Sequence, residues 1–277
     1  MIEDTSSATL RLIQHNCMKN QDATQAILET AIKTADVVLL QEPWIGEKGP
    51  LSRRSFECIV PSGHAPTARP RVALYISQRA KSKLQLQVQT KEDLVTDPDA
   101  QVFELSTPCI PSVLIYNIYN QKNKEDTHTL DRLFPPSTVL SHPRTLLVGN
   151  FNAHHALWNS RVETPKQADT LVALIETNLL ALLNEEDACT HFPLNNNQPS
   201  VLDLTLATPS LADSVQKWFI DEEAGTGSDH AVIRFEIQAL EHTTAPLITH
   251  QRRNWKKAKW EEVRAKLAET AAAQQTQ

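Results

Sequence analysis

Two short apolar runs, Arg144–Val148 and Ala231–Phe235, are each bordered by a dense set of polar side chains. Gly149-Asn150-Phe151-Asn152-Ala153-His154-His155 follows the first, and Ser228-Asp229-His230 precedes the second. Runs of this kind read as buried strands. Polar side chains at strand ends are how an α/β fold presents chemistry along one rim of its sheets. The chain must fold so that distant strand ends meet.

The remaining pattern fills in the architecture. Leu10, Leu12 and Ile13 predict a first strand ending near His15-Asn16, and Ala23, Ala26, Ile27 and Ala31 recur at helical spacing behind it. Ala35–Gln41 is an apolar run stopped by Glu42-Pro43. Further strands are predicted at Phe56–Val60, Arg71–Ser77, Leu84–Gln89, Val102–Ser106, Val113–Tyr119, Val201–Ala207, Lys217–Ile220 and Ala231–Ile237, with helices over Glu125–Phe134 and Ala168–Leu183. Strands outnumber helices and often follow one another directly. That favours antiparallel or mixed sheets, an α/β fold of α+β character, over a Rossmann alternation.

From His250 the character changes. Trp255, Ala258, Val263 and Leu267 suggest a basic amphipathic helix that dissolves into an Ala/Gln-rich end. The expected division is a domain over 8–240 and a linker with this helix over 241–277.

The formal charge of −6 excludes a generally basic, histone-like nucleic-acid binder. It leaves room for a site with local positive charge, such as Arg69 with Arg71. Nothing approaches the roughly 18 consecutive apolar residues that cross a bilayer, so no membrane partner is expected. The four cysteines include no Cys-x-x-Cys pair, which argues against a zinc knuckle and for a reducing compartment.

Several polar residues fall at or just beyond strands: Asn16, Glu42, Tyr119, Asn150, Asn152, Asp229 and His230. Asp203 lies inside the apolar stretch Val201–Leu206, where a buried charge requires a partner and a histidine is a natural one. Together these types suit phosphoester cleavage. A hard divalent cation takes carboxylate oxygens, which Glu42 and Asp229 offer. Donors such as Asn152, Asn16 and an Asp203-supported His230 suit the charge of the transition state. His154-His155 sits beside Trp158, where packing is the simpler reading than a metal site, and Trp44 and Trp158 could stack on bases or be buried.

In their order, Gln41-Glu42-Pro43, Gly149-Asn150-Phe151-Asn152, Val201-Leu202-Asp203-Leu204 and Ser228-Asp229-His230 resemble the endonuclease/exonuclease/phosphatase superfamily. Gln14-His15-Asn16, Asn117-Ile118-Tyr119-Asn120 and Thr226-Gly227-Ser228 make the chain most similar to the endonuclease domain of non-LTR retrotransposons. The resemblance implies a four-layer sandwich of two stacked mixed sheets flanked by helices. It implies Mg²⁺, with Mn²⁺ as the alternative, held by Glu42 and Asp229 with Asn16 beside it. Asn150, Asn152, Tyr119, Asp203 and His230 take catalytic places, and Arg71, Asn120 and His154 contact substrate. DNA is the implied partner, nuclear residence follows from it, and a reverse transcriptase domain in the same polyprotein follows from the Asn254-Trp255-Lys256-Lys257-Ala258 tail.

Asn150 departs from the pattern. The resemblance calls for Asp there, to orient and deprotonate the attacking water, and an amide cannot take that proton. The reading is therefore a nicking endonuclease impaired at one group, or one that recruits another carboxylate. A catalytically silent DNA-binding module, or a phosphatase or abasic-site endonuclease on the same scaffold, are the alternatives.

Overall fold

The computed structural model describes residues 9–62, 69–121, 127–195 and 197–239. The chain opens with β1 (Thr9–Asn16), α1 (Gln21–Thr34) and β2 (Val37–Gln41), then a short ribbon of β3 (Ile45–Gly46) and β4 (Gly49–Pro50). There follow β5 (Phe56–Ile59), β6 (Val72–Ser77), α2 (Gln78–Lys83), β7 (Gln87–Thr90), β8 (Ala100–Ser106), β9 (Val113–Tyr119) and α3 (Thr129–Leu133). The last part comprises β10 (Thr145–Asn150), α4 (Asp169–Asn178), β11 (Ala181–Leu182), β12 (Asp203–Ala207), α5 (Pro209–Ala212), β13 (Val215–Ile220) and β14 (Ile233–Gln238).

Two six-stranded sheets form, ordered β13-β14-β1-β2-β6-β5 and β11-β12-β10-β9-β8-β7. Each is mixed: β1 runs parallel to β2, and β9 parallel to β10, while the other pairings are antiparallel. The sheets stack through one aliphatic cluster that includes Leu10, Leu12, Val37 and Leu39 of the first and Val113, Ile115, Leu146 and Val148 of the second. On the outer face of the first sheet, α1 lays Ala23, Ile27, Leu28 and Ala31 against Ile13, Val38 and Leu40. On the outer face of the second, α3 and α4 cover Ile118, Leu147, Leu204 and Leu206 with Leu130, Leu171 and Leu174. The expected four-layer sandwich is the observed one.

Because side chains alternate along a strand, the inner face of each strand reads as every second residue. On β1 that face runs Leu10, Leu12, Gln14, Asn16; on β2, Val37, Leu39, Gln41; on β9, Val113, Ile115, Asn117, Tyr119; on β10, Leu146, Val148, Asn150. All four change from aliphatic to polar in the same direction. Antiparallel β12 enters from the polar end, as Asp203, Thr205, Ala207. The core is thus dry at one end of the strands and polar at the other.

Some elements differ from the sequence expectation. Leu84, Leu86 and Val88 alternate, yet Leu84 caps α2 and only Gln87–Thr90 is a strand. Their alternation reflects burial, since all three pack on the inter-sheet cluster. The helix expected to reach Leu183 stops at Asn178, where Leu179 turns left-handed (φ 53°) and the chain re-enters the sheet as β11. The helix expected over Glu125–Phe134 is five residues long within the described part, Thr129–Leu133. The strand expected to end at Val148 continues to Asn150, so Asn150 is itself a ladder residue. The segment 241–277 lies outside the described residues.

Gly149 is the position where side-chain-free backbone is required. A Cβ there would fall 1.9 Å from the Ile118 carbonyl oxygen on the neighbouring strand. Gly149→Ala is expected to destabilise the domain by about 2–3 kcal/mol, read as a lower urea midpoint at unchanged m-value.

Candidate functional site

The polar ends of the inner faces converge on one rim. The ladder places Asn150 opposite Tyr119 on one side and opposite Asp203 on the other, so three candidate residues stand in one row across the second sheet. The first sheet supplies Asn16 at the end of β1 and Glu42 immediately after β2. Glu42 takes a left-handed conformation (φ 44°), and its N–H donates to the Arg71 carbonyl at 2.7 Å. Its carboxylate lies 2.7 Å from Lys19 Nζ and accepts the Tyr119 hydroxyl, so the two sheets touch through their candidate residues. Burial, then Glu42, pushes the Tyr119 phenol well above its usual value, which keeps it a donor.

Asp203 and His230 form the expected buried pair. His230 Nδ1 donates to Asp203 Oδ2 at 2.7 Å, and both side chains are almost fully enclosed. Burial opposes charging the ring, but Asp203, with help from Asp229 and Glu42, outweighs it, and the net shift is upward. The pair is fixed from behind: Thr190 Oγ1 accepts the N–H groups of Leu202 and Asp203. His230 Nε2 points toward Asp229, 3.7 Å from Oδ1.

His15 explains how the loop before β14 is held. Its Nδ1 donates to the Ala231 carbonyl at 3.2 Å, and its Nε2 accepts the Thr226 hydroxyl at 3.0 Å. Both ring nitrogens are used by the neutral form, and burial lowers the pKa to about 4. Ser228 Oγ adds a bond to the Asn16 carbonyl at 2.7 Å. Asp229 and His230 are therefore placed by the end of β1.

Asn150 Oδ1 accepts the Asn152 N–H at 2.9 Å, and Asn152 Nδ2 donates to the Asn120 carbonyl at 2.9 Å. This tight turn, with Asn152 at φ 48°, hangs Asn152 off the end of β10. Asn16 Oδ1 accepts from the Met18 N–H, while its buried Nδ2 has no hydrogen-bond partner among the described residues. Asn16 thus offers the rim a donor rather than a ligand oxygen.

The candidates of looser standing separate. Asn120 is fully buried, with Nδ2 on the Phe151 carbonyl at 2.7 Å and Oδ1 on the Leu130 N–H at 3.1 Å. Its amide is committed at both ends to joining β9, the Asn150 turn and α3, so it is a positioning residue rather than a substrate contact. Arg71 is gripped bidentately by buried Asp99 at 2.6 and 2.8 Å, its guanidinium carbon 5.6 Å from the Tyr119 ring centroid. It borders a cleft of about 560 Å³ with Lys19, Trp44, Arg69 and Pro98. His154 pairs through its backbone with Lys166, and burial depresses its pKa. Trp158 is buried, donating to the Ala153 carbonyl, with His155 packed on its ring.

Two neighbours escape sequence reasoning. Lys19 reaches Glu42 through a Met18-Lys19 turn in which both residues are left-handed (φ 54° and 57°), without the glycine that flags such turns. His191 lies in a stretch with no periodic pattern, yet its Nε2 is 3.3 Å from Asp229 Oδ2. Only long-range pairing with Ser200 and His230 brings it there.

The rim suits a hard divalent cation. Glu42 presents a carboxylate, and Asp229 Oδ1 is buried without a hydrogen-bond partner among the described residues. Oxygens from one or two carboxylates completed by water are what Mg²⁺ takes.

These features define the class as a four-layer α/β sandwich of two stacked mixed sheets with a polar rim at one end of the strands. Residues 113–234, from β9 into β14, match the family described as endonuclease-reverse transcriptase. Solved structures share the fold. The endonuclease domain of TRAS1, a telomere-specific non-LTR retrotransposon, superimposes with a TM-score of 0.66 at 21% identity, covering 84% of this chain and 99% of that one. An AP endonuclease from Leishmania major gives 0.58 at 14%, covering 85% and 89%. A 3'-5' exonuclease from Neisseria meningitidis gives 0.54 at 14%, covering 82% and 99%. No curated protein sequence matches the chain. Among the described residues no helix is long and apolar enough to cross a membrane.

The two buried histidines titrate in opposite senses. His15 is lowered, so its neutral form stabilises the fold, and that contribution falls away as pH drops below 6.5 toward about 4. His230 is raised, so its ion pair contributes fully below 6.5 and is lost as pH rises through its higher folded-state value. Imidazole NMR titration is expected to show His230 above 6.5 in the unmodified chain and to bring it down in Asp203→Asn.

Proposed function

We propose that this chain is a divalent-metal-dependent DNA endonuclease domain of the non-LTR retrotransposon kind, impaired in its water-activating step by Asn150. The observation that carries the reading is the row Tyr119–Asn150–Asp203, with His230 bonded to Asp203 and Glu42 to Tyr119. It is supported by the family match over 113–234 and by the fold shared with the TRAS1 domain.

Mg²⁺, or Mn²⁺ in its place, would be held by Glu42 and Asp229 and would supply positive charge to the phosphate and the departing oxygen. The chain's own groups do the rest. Asp203 keeps the His230 ring oriented and favours its charged form, in which Nε2–H donates to a phosphate oxygen as negative charge builds there. Asn16 Nδ2, without a hydrogen-bond partner among the described residues, and the second amide hydrogen of Asn152 are further donors. Tyr119 and Lys19 hold Glu42 in place. An Asp at 150 would use one oxygen for the Asn152 N–H and turn the other to water. Asn150 instead presents an NH₂ group, which donates to the water and cannot accept its proton.

DNA enters along the cleft beside Trp44, Arg69 and Arg71, where cationic side chains meet the backbone. A DNA substrate implies nuclear residence, and the family's description supports a reverse transcriptase domain in the same polyprotein.

Supercoiled-plasmid nicking with Mg²⁺ tests this. Asn150→Asp is expected to nick about 10²–10⁴-fold faster than the unmodified chain, with EDTA or a further His230→Ala change abolishing the gain. If Asn150→Asp cuts no DNA but binds it in a salt-sensitive way, the silent-module reading replaces this one. A preference for lesion-bearing over plain duplex would favour an abasic-site enzyme.

A further inference from the structure

The mechanism above leaves His191 without a task, although it faces the most polar part of the rim. Ligand atoms of His191, Asp229 and His230 all lie within 4.8 Å of one another. His191 Nε2 is 3.3 Å from Asp229 Oδ2, and His230 Nε2 is 3.7 Å from Asp229 Oδ1. A tetrahedral zinc ion with bonds of about 2.0–2.2 Å separates its ligand atoms by roughly 3.4 Å. The two gaps, one to each oxygen of Asp229, straddle that spacing, and a small side-chain adjustment would close the triad on one ion.

Each ring is also held by its other nitrogen. His230 Nδ1 donates to Asp203 Oδ2 at 2.7 Å, the carboxylate–histidine support typical of zinc ligands, and His191 Nδ1 lies 3.2 Å from Ser200 Oγ. Both Nε2 atoms therefore turn toward Asp229. The backbone makes this arrangement rigid: Phe192 N–H donates to the Asp229 carbonyl and Ala231 N–H to the Thr190 carbonyl, each at 2.7 Å. Asp229 Oδ1 is buried with no hydrogen-bond partner among the described residues. Two imidazoles and a carboxylate with an open fourth position suit a borderline-soft ion, whereas the oxygens of Glu42 suit a hard one.

We propose that His191, Asp229 and His230 form a site for Zn²⁺, distinct from the hard-cation position at Glu42 and antagonistic to it. Coordination displaces the His230 Nε2 proton to solvent and removes that donor from the phosphate. It also withdraws Asp229 from the Mg²⁺ position. The inhibitory consequence rests on the nuclease reading, but the site itself does not, so its test avoids activity.

Zn²⁺ titration calorimetry in millimolar Mg²⁺, with Co²⁺ absorption as a geometric probe, decides it. The unmodified chain is expected to bind one Zn²⁺ with the visible bands of tetrahedral Co²⁺. His191→Ala and His191→Gln should each weaken binding about 100-fold or more, and Glu42→Gln should bind zinc at least as tightly as the unmodified chain, since it weakens the competing Mg²⁺ position. In the unmodified chain, imidazole NMR should show Zn²⁺ shifting His191 and His230 together, a readout independent of how the variants fold. The proposal is overturned if zinc shifts other histidines only, if the His191 variants bind as tightly as the unmodified chain, or if Glu42→Gln weakens binding as much as they do. Zinc binding without nicking by Asn150→Asp would sink the nuclease reading alone.

Discussion

The rim depends on a buried polar belt that joins the two sheets just beneath it. Gln41 Nε2 donates to Asn117 Oδ1 at 2.7 Å, and Asn117 Nδ2 reaches the Leu40 and Ala73 carbonyls at 3.3 Å. Gln14 Nε2 donates to the Gly149 carbonyl at 3.1 Å, and its Oε1 accepts the Thr205 hydroxyl at 3.2 Å. An aliphatic interface tolerates sliding, because apolar contact has no direction. Directional bonds do not: each adds only about 0.5–1.5 kcal/mol net, while a partner left buried and unpaired costs about 1–3 kcal/mol. A one-residue slip of β2 or β10 would strand several of these groups at once. The belt therefore locks the register in which Glu42 reaches Tyr119 and Asn150 stands between Tyr119 and Asp203.

Much of this was legible in the sequence because it rests on alternation. The strands at the rim announce themselves by aliphatic runs, and the change to Gln, Asn and Asp at their ends marks the wet side. Asp203 could be anticipated as paired, since a carboxylate within Val201–Leu206 has few other ways to be buried. What stayed hidden depends on contacts far apart in the chain. Asn120 carries the same signal as Asn16 and Asn150, yet its amide is consumed by Phe151 and Leu130. Leu84 and Leu86 follow a strand's period while belonging to a helix cap and a loop. His191 and Lys19 have no local signature, because their positions come from tertiary pairing and a left-handed turn.

The orphaned atoms at the rim bear on how to read Asn150. Asn16 Nδ2, Asp203 Oδ1 and Asp229 Oδ1 are buried without hydrogen-bond partners among the described residues, a costly condition that a domain retains only for a reason. All three face the polar ends of the strands rather than the aliphatic core. Folding alone would favour satisfying them or replacing them with apolar groups. Their survival beside Asn150 fits the proposed nuclease reading, in which the site is still a frame shaped for a charged phosphate and a cation.

Asp229 is where that frame becomes selective. Its carboxylate is reached from one side by His191 and from the other by His230, while Glu42 acts on His230 from across the rim. In the proposed zinc-bound state, the two imidazole nitrogens and Asp229 make a nitrogen-rich set that prefers a softer ion. In the proposed nuclease state, Asp229 turns to a hard ion beside Glu42 and His230 Nε2 to the phosphate. Asp203, buried behind the ring, holds His230 in the orientation that both readings use.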